Sequence, residues 1–444
     1  MREPEIPLKI CVMDSQGRQP HVLVIPCPVQ GHVAPLMKLS HKIVDHGIKV
    51  TFVNTEFIHA KVTTSMVVKS EEKSPIRLVS IPDGLEPGDD RKDVLKLTQS
   101  MLKVMPVHLM DLIEKINQSN DDDQISCVIA SIAAGWALEV AEKMGIKRAA
   151  FWPAGPGNLA FLLHVPKLIE DGIIDTKGDS KLQNIIFEYY ASRANHYVKQ
   201  CNWLLCNSFH ELDSAVCDLI PGIIPVGPLL LGHQLSNYVG SFWPQNSTCL
   251  SWLDKQPVGS VIYVAFGSIA TFSQKQFDEL AHGLELIGQT FLWVVRSDIT
   301  DGPLAEFLHV FRTRLNDRGM IVEWAPQEKV LDHPSIACFV SHCGWNSTLE
   351  GISMGVRFLC WPFFSDQFHN RSYICDVWKI GLGLTPDENG LITRHEIKTK
   401  IETLLSDDGI KRNSLELKKM AKTSVTEGGS SSKNFESFIE QIKH

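Results

Sequence analysis

The chain has 444 residues, which is long for one domain and predicts two or three. Its net charge of -8 argues against a nucleic-acid partner, and a hydrophobic content of 44% with a mean hydropathy of -0.03 is typical of a globular enzyme. The 11 cysteines show no metal-ligand spacing, which indicates reduced thiols in a reducing compartment. With no signal-like N-terminus and no apolar stretch of membrane-spanning character, we expect a cytoplasmic protein.

The first half of the chain reads as an α/β series. Residues 1–20 read as an N-terminal extension without assigned function, and HVLVIP at 21–26 is the first predicted strand. A predicted helix over 36–47 and a second strand at 49–54 complete a strand–helix–strand unit, which predicts a parallel sheet. The remaining predicted strands of this half are at 77–82, 125–130, 147–152, 203–207 and 222–228.

His32 lies in the loop PVQGHVAP, between the first predicted strand and the mouth of the first predicted helix. The positive end of a helix dipole disfavours an imidazolium ion. We therefore expect His32 to be neutral near physiological pH and able to act as a base.

The second half repeats the α/β pattern after a linker rich in Pro, Gly, Asn and Ser, which we assign to 231–255. Its predicted strands are at 260–266, 290–295, 320–324, 337–341, 357–361 and 381–384, and two charged helices close the chain at 410–425 and 431–444. The segment FGSIATFSQ has no GxGxxG or P-loop spacing. It still predicts a strand, a Gly-Ser turn and a helix, so Ser268 is a candidate donor to a diphosphate; a plain strand-to-helix turn is the alternative.

A second candidate phosphate site follows the predicted strand ACFVSH. A glycine turn leads there into a predicted helix, and Ser347 and Glu350 have the spacing of a capping box. A helix N-terminus presents unpaired N–H groups and a positive dipole to an anion. His342, Asn346 and Ser347 add side-chain donors at this point, and Glu350 could accept two vicinal ribose hydroxyls.

The residues that flank this segment are suited to binding a base and a sugar. Trp324 offers a flat apolar face beside Ala325, and Gln327 offers an amide. Asp366 and Gln367 follow the predicted strand RFLCWP at its carboxyl end, where open α/β sheets bind ligands. The alternative is an ordinary αβ repeat with a good N-cap, which any one of these residues alone would favour.

Together the segment from Trp324 to Gln367 resembles the signature box of the plant UDP-dependent secondary-product glycosyltransferases. The resemblance rests on WAPQ, the HCGWNS core, the glutamate and the closing DQ. It implies that a UDP-sugar donor is bound by Trp324 at uracil, by Gln327 and Glu350 at ribose, by His342, Asn346 and Ser347 at the diphosphate, and by Asp366 and Gln367 at the sugar. Ala325 and Trp345 also belong to the implied donor site. Arg357 departs from the family pattern, where proline is usual, and we expect only a local effect.

The resemblance also implies the GT-B fold, with two doubly wound Rossmann-like domains facing across a cleft. The acceptor-binding domain would span 21–230 and be completed by the C-terminal helix 431–444, and the nucleotide-sugar-binding domain would span 256–430. In the resembled family a histidine at the position of His32 removes the acceptor proton, and UDP leaves in one inverting displacement. The aspartate that usually orients this histidine is replaced here by Ser131.

These implications predict inverting transfer of glucose from UDP-glucose to a hydroxyl or carboxyl of a small lipophilic acceptor, such as a terpenoid or phenolic. Acceptor contacts are expected from Phe151, Trp152, residues 153–164 and the 83–105 region, although for most of these aromatic residues a core position is the better interpretation. We expect a monomer with no permanently bound cofactor and no metal. A catalytically weakened UDP-sugar-binding protein is the alternative, because Ser131 carries no charge; a dinucleotide oxidoreductase lacks its glycine fingerprint.

Overall fold

The computed structural model describes residues 18–65, 75–91, 93–119, 123–174, 192–231, 242–243, 245–315 and 318–443. Most of the expected extension 1–20 and much of the expected linker 231–255 lie outside these residues. The chain divides into two compact units. Among the described residues, the first unit contains 18–229, Phe242 and 427–443, and the second contains 230–231 and 243–426.

The first unit is built on a seven-stranded parallel sheet in the order β3-β2-β1-β4-β5-β6-β7. Its strands are β1 His21–Ile25, β2 Lys49–Thr55, β3 Ile76–Ile81, β4 Cys127–Ser131, β5 Lys147–Trp152, β6 Trp203–Cys206 and β7 Ile223–Pro225. Its helices are α1 Gln30–Asp45, α2 Glu56–Ser65, α3 Val94–Ser119, α4 Trp136–Lys143, α5 Pro156–Glu170, α6 at 192–200 and α7 Ser214–Cys217. All seven strands predicted for this half are present.

The central strands β1 and β4 are buried along their whole length and are apolar except for His21 and Ser131, as expected where helices cover both faces of a sheet. In β1, Val22 and Val24 pack into one core cluster, while Leu23 and Ile25 pack into another. The last helix of the chain, whose Phe435 and Phe438 belong to the first of these clusters, also packs in this unit.

The second unit has a six-stranded parallel sheet in the order β10-β9-β8-β11-β12-β13. Its strands are β8 Val261–Ala265, β9 Thr290–Val294, β10 Gly319–Val322, β11 Ile336–Ser341, β12 Arg357–Cys360 and β13 Gly381–Gly383. Its helices are α8 Thr248–Leu253, α9 Gln274–Ile287, α10 Leu304–Arg314, α11 Gln327–Leu331, α12 Trp345–Met354, α13 Gln367–Ser372, α14 Arg394–Ser406 and α15 Asp408–Val425; α16 Ser430–Lys443 returns to the first unit.

Both sheets reverse their strand order once, and a ligand site in an open α/β sheet lies at the carboxyl ends of the strands at that reversal. In the first sheet the reversal falls between β1 and β4, and in the second it falls between β8 and β11. The segments that follow these four strands therefore define the candidate site in each unit.

Helix starts were predicted less well than strands. Helix α1 begins at Gln30 rather than at residue 36 and includes Pro35 as its sixth residue, so His32 lies inside the first turn. The predicted capping box at Ser347 and Glu350 was wrong: the N-cap is Gly344, and no side chain caps α12. After β8 the helix does not follow the Gly-Ser turn at once, because α9 begins at Gln274 with Ser273 as its N-cap.

Arg357 has a structural role at the start of β12. Its guanidinium donates to the Ala337 carbonyl at 3.2 and 3.3 Å and to the Leu404 and Leu405 carbonyls at 3.1 and 2.8 Å. The latter two lie near the C-terminus of α14, where carbonyls lack helical partners and a cation is favoured. The departure from proline thus supplies a bridge between β11 and α14.

Candidate active site

His32 and Ser131 meet at the order reversal of the first sheet. His32 follows β1 in the first turn of α1, and Ser131 is the last residue of β4, which pairs directly with β1. The His32 Nδ1 and Ser131 Oγ atoms are 2.6 Å apart, within hydrogen-bonding distance. This contact leaves Nε2 as the ring nitrogen that could serve an acceptor.

The environment of His32 keeps the imidazole neutral. Burial lowers its pKa from 6.5 to about 4, and no charged group of the described residues contributes to that shift. Ser131 is fully buried, and its hydroxyl can either accept a proton from Nδ1 or donate one to it. A carboxylate would hold one tautomer and stabilise the protonated ring, and Ser131 can do neither as strongly.

A cavity of about 80 Å³ is lined by close sequence neighbours of this pair, Val29 and Ile132, although neither His32 nor Ser131 lines it. Its walls come from the loop after β1, the turn after β4, and helices α3 and α6. Its lining residues are Cys27, Val29, Arg91, Leu97, Thr98, Met101, Leu102, Ile132, Ala133, Gly135, Trp136, Arg193 and Tyr197. The largely apolar lining suits a lipophilic group.

The expected acceptor contacts are found only in part. The 83–105 region supplies one wall of the cavity, but Phe151 is fully buried and belongs to the core, and the Trp152 indole donates to the Gly155 carbonyl at 2.9 Å. Arg193 and Tyr197 of α6 line the cavity and were not predicted. The sequence of α6 contains no motif that would have singled out these two residues.

His342 lies at the order reversal of the second sheet, directly after β11. Its Nε2 packs so closely against the backbones of Gly267 and Gly344 that a side chain at either position would collide with the ring. Burial, helped by the charge of Arg296, lowers the His342 pKa to about 4 against an opposing hydrogen bond from the ring to the Ala265 backbone carbonyl. The two glycines thus let the turns after β8 and β11 close around a neutral imidazole.

Arg296 holds the turn that carries Ser268, and sequence reasoning missed it. Its side chain is 1% exposed and donates to the Gly267 carbonyl and, at 2.7 Å, to the Ala270 carbonyl. Asp298 accepts a third bond at 3.0 Å. Ser268 itself is half-buried in this turn, six residues before α9.

The two residues predicted to bind ribose, Gln327 and Glu350, are hydrogen-bonded to each other, and Tyr263, which the sequence did not predict, bonds to Gln327. Gln327 Nε2 donates to Ser347 Oγ at 2.7 Å and to Glu350 Oε2 at 2.8 Å, while its Oε1 accepts from the Tyr263 hydroxyl at 3.2 Å. Tyr263 is 1% exposed, so this network is fixed from inside the fold. Asn346 and Trp345 occupy the first turn of α12 beside Ser347.

Trp324 is half-buried, and its indole is stacked by Trp243 with ring centroids 4.5 Å apart. A base could therefore use only the opposite face of Trp324. Ala325, the next residue, is 5% exposed and packs beneath this segment. Trp243 lies in the expected linker, where no periodicity marked it.

Asp366 and Gln367 follow β12 as predicted, but each has structural partners as well. Asn370 Nδ2 donates at 2.9 Å to Asp366 Oδ2 and at 2.9 Å to the Cys343 carbonyl, which joins the sugar and diphosphate candidates. Burial raises the Asp366 pKa, with Asn370 opposing. Gln367 Oε1 accepts from the Phe363 and Phe364 amides, which leaves its amide N–H groups for a ligand.

Two further findings concern the described ranges only. They contain no group of three or more His, Cys, Asp or Glu side chains placed to hold a metal ion. They also contain no helix with the length and apolar character that a membrane crossing requires.

Comparisons with known proteins match this arrangement. Residues 206–427 match the family model described as UDP-glucoronosyl and UDP-glucosyl transferase. UDP-glycosyltransferase 83A1 of Arabidopsis thaliana is 41% identical, and the alignment covers 96% of this chain and 97% of the relative. The chain belongs to the plant UDP-glycosyltransferase family. It is accordingly an enzyme that transfers a glycosyl group from a UDP-sugar to a small acceptor, and nothing in these matches supports the binding-protein alternative.

Solved structures of this family share the fold. Os79 of O. sativa in complex with UDP superposes with a TM-score of 0.82 at 27% identity, covering 95% of this chain and 100% of that one. UGT2 of Phytolacca americana, complexed with UDP-2fluoro-glucose and pterostilbene, gives a TM-score of 0.77 at 26% identity over 96% and 99% of the two chains. The GT-B fold class with two Rossmann-like domains is thereby confirmed for this glycosyltransferase.

Proposed function

We propose that this glycosyltransferase moves glucose from UDP-glucose to the hydroxyl of a small lipophilic acceptor with inversion, and that His32 is the general base. The observation that carries the proposal is the His32–Ser131 hydrogen bond of 2.6 Å at the order reversal of the first sheet. It fixes one ring nitrogen and leaves Nε2 for the acceptor.

The proposed reaction is a single displacement. Nε2 of neutral His32 takes the acceptor proton while the acceptor oxygen forms a bond to the anomeric carbon of glucose. The bond from that carbon to the diphosphate oxygen breaks, and its electron pair leaves with UDP. One displacement at one carbon inverts its configuration, so the product should be the β-glucoside.

The donor roles proposed for the second unit follow from its contacts. His342 with its lowered pKa acts as a neutral hydrogen-bond donor to the diphosphate together with Ser268, Asn346 and Ser347. Donors aimed at the departing diphosphate stabilise the charge that develops in the transition state. Trp324 and Ala325 bind uracil, and Trp345 orders the first turn of α12.

The side chains proposed to bind the ribose and the sugar are themselves held in place by hydrogen bonds within the protein. Gln327 and Glu350 hold the ribose hydroxyls, supported by Tyr263. Asp366 accepts bonds from glucose hydroxyls, and the amide N–H groups of Gln367 donate to them. The closing DQ resembles the glucose-preferring pattern of the family, so UDP-glucose should be preferred over UDP-galactose and UDP-glucuronate.

The acceptor class is proposed from the cavity lined by Val29 and Ile132, which are close in sequence to His32 and Ser131. Eight of its lining side chains, Val29, Leu97, Met101, Leu102, Ile132, Ala133, Trp136 and Cys27, are apolar, which favours a terpenoid or phenolic body. UGT2 of Phytolacca americana, with pterostilbene in its structure, is consistent with such an acceptor. Since one chain carries every proposed group, we expect a monomer, which light scattering after size exclusion would test.

The test is UDP release with UDP-glucose against a panel of phenols, alcohols and carboxylic acids, with products identified by mass spectrometry and anomeric configuration by proton NMR. The proposal expects a β-glucoside of at least one lipophilic member. An α-glucoside would refute the single displacement, and equal turnover with UDP-galactose would refute the donor preference.

A further inference from the structure

Trp324, the residue proposed to stack on uracil, is itself stacked by a second tryptophan. The ring centroids of Trp243 and Trp324 are 4.5 Å apart, and the ring planes are inclined by 23°. Two aromatic rings at this separation attract each other beyond the apolar area that they bury. Both residues are half-buried, and both belong to the second unit. The stack is therefore internal to the unit that carries the candidate donor residues.

The segment that carries Trp243 is also attached to the backbone of Trp324. The Asn246 amide N–H donates to the Trp324 carbonyl at 2.9 Å. The Cys249 thiol, on α8, donates in turn to the Asn246 carbonyl at 3.0 Å. Cys249 and Leu253 are fully buried, and α8 packs on α11, the helix that begins shortly after Trp324. Trp243 is thus held against Trp324 by the backbone and by a buried helix as well as by its ring.

An indole that is already held on one face is a better platform for a base than one that is free to turn. Ordering a side chain at the moment of binding costs affinity, and a ring that is ordered beforehand avoids this cost. Stacking on an aromatic ring is a general way for a protein to bind a nucleobase. Because Trp243 covers one face of Trp324, the other face is the one that remains for a planar ring.

We propose that Trp243 is a positioning residue for the donor base: it holds the Trp324 indole in place, and uracil completes a stack of three rings on the opposite face. The inference rests on the role proposed above for Trp324 at uracil. In this role Trp243 touches no reacting atom, so its loss weakens binding equally in the ground state and the transition state. Such a loss raises KM and leaves kcat unchanged.

The test is calorimetric titration of the full chain with UDP, uridine and pyrophosphate. Trp243→Leu should weaken UDP and uridine binding about two- to tenfold, the range for one aromatic pair, and leave pyrophosphate binding unchanged because pyrophosphate has no base. Trp243→Phe keeps a smaller ring and should lose less. Trp252→Leu is the matched control, because Trp252 is half-buried on α8 in the same segment but its ring is not part of the stack.

A double-mutant cycle separates the positioning role from a general loss of stability. In the Trp324→Ala background, Trp243→Leu should cost no further UDP affinity, because the ring that Trp243 holds is gone. KM for UDP-glucose should rise in Trp243→Leu with kcat unchanged. The parent should also show the exciton-coupled circular dichroism bands of two stacked indoles, and each single variant should lose them.

Several outcomes would overturn this inference. They are an equal cost of Trp243→Leu in both backgrounds, equal losses of pyrophosphate and UDP binding, and UDP binding that is unchanged or tighter in Trp243→Leu although Trp324→Ala weakens it. Tighter binding would mean that Trp243 occupies the face that uracil needs. If the leucine variant fails to fold, as judged by melting, the phenylalanine variant carries the same comparisons. Unchanged UDP affinity in Trp324→Ala would refute the uracil role of Trp324, and this inference with it, without touching the proposed transfer by His32.

Discussion

Replacing Ser131 with aspartate should strengthen His32 as a base. The Ser131 oxygen already lies 2.6 Å from Nδ1, so a carboxylate there would face the ring directly. An opposite charge at this range raises a histidine pKa by about 1–3 units, which would bring His32 from about 4 toward neutrality. Two units correspond to about 2.7 kcal/mol, and if half of this reaches the transition state, kcat rises about tenfold.

The assay is the pH dependence of kcat and kcat/KM for one alcohol and one phenol acceptor. Ser131→Asp should raise kcat for the alcohol, shift the acidic limb of the kcat/KM profile to higher pH, and leave UDP-glucose binding unchanged. The gain should be smaller for the phenol, whose proton needs less help to leave. Ser131→Asn is the matched control, because asparagine has nearly the same size and hydrogen-bonding reach as aspartate but carries no charge.

Two results would refute this reasoning. Equal gains for the aspartate and asparagine variants would show that geometry, not charge, limits the parent. A lower rate for alcohol and phenol alike, with melting temperature preserved, would point to another acid that already serves His32. The described residues contain no charged group that shifts the pKa of His32, which favours the missing-charge interpretation.

Four other substitutions test the remaining roles. His32→Ala should lower kcat for alcohols by about 10²–10⁴ with UDP affinity little changed, and a rate within a few-fold of the parent would remove it as the base. Asp366→Ala should impair sugar transfer far more than UDP binding, since the carboxylate faces the sugar; calorimetry and kinetics showing equal losses would exclude it from the sugar site. Arg296→Met should weaken UDP binding about tenfold, because buried charged hydrogen bonds worth about 1.5–3 kcal/mol hold the turn after β8. Arg314→Met, at a more exposed site, is the control. Equal Kd values for UDP in the Arg296 variant and the parent would contradict the role of Arg296. Arg357→Ala should lower the free energy of unfolding by about 1–3 kcal/mol in denaturant titrations without changing kcat, because carbonyls near the end of α14 lose their hydrogen-bond donor. An unchanged free energy of unfolding would refute the role of Arg357 as a bridge between β11 and α14.

The strands were predictable because their physical signal is local. A parallel strand buried on both faces is a nearly continuous apolar run, as β1 and β8 are. Helix starts carry weaker signals. Pro35 suggested a boundary that the helix accommodates, and Ser347 had the spacing of a cap but bonds to Gln327 instead.

The candidate donor residues could be chosen from the sequence because they lie within one short segment. Their supports could not, since Tyr263, Arg296 and Trp243 reach the site from distant positions in the chain. Each is an ordinary residue by composition: a strand tyrosine, an arginine after a strand, and a tryptophan in a loop. Only the fold shows that a buried guanidinium fixes the backbone of Gly267 or that an indole covers one face of Trp324.

The two histidines of the site show why Ser131 matters for the choice of acceptor. Burial lowers both pKa values to about 4, which suits His342 because a neutral donor to the diphosphate need never gain a proton. His32 must gain one, and a base of this strength leaves a gap of about 6 pKa units to a phenol, about 8 kcal/mol. For an alcohol with a pKa of about 16, near that of water, the gap is about twice as large. Without a carboxylate to narrow it, the His32–Ser131 pair favours acceptors with acidic hydroxyls, and a carboxylic acid acceptor would need no base at neutral pH.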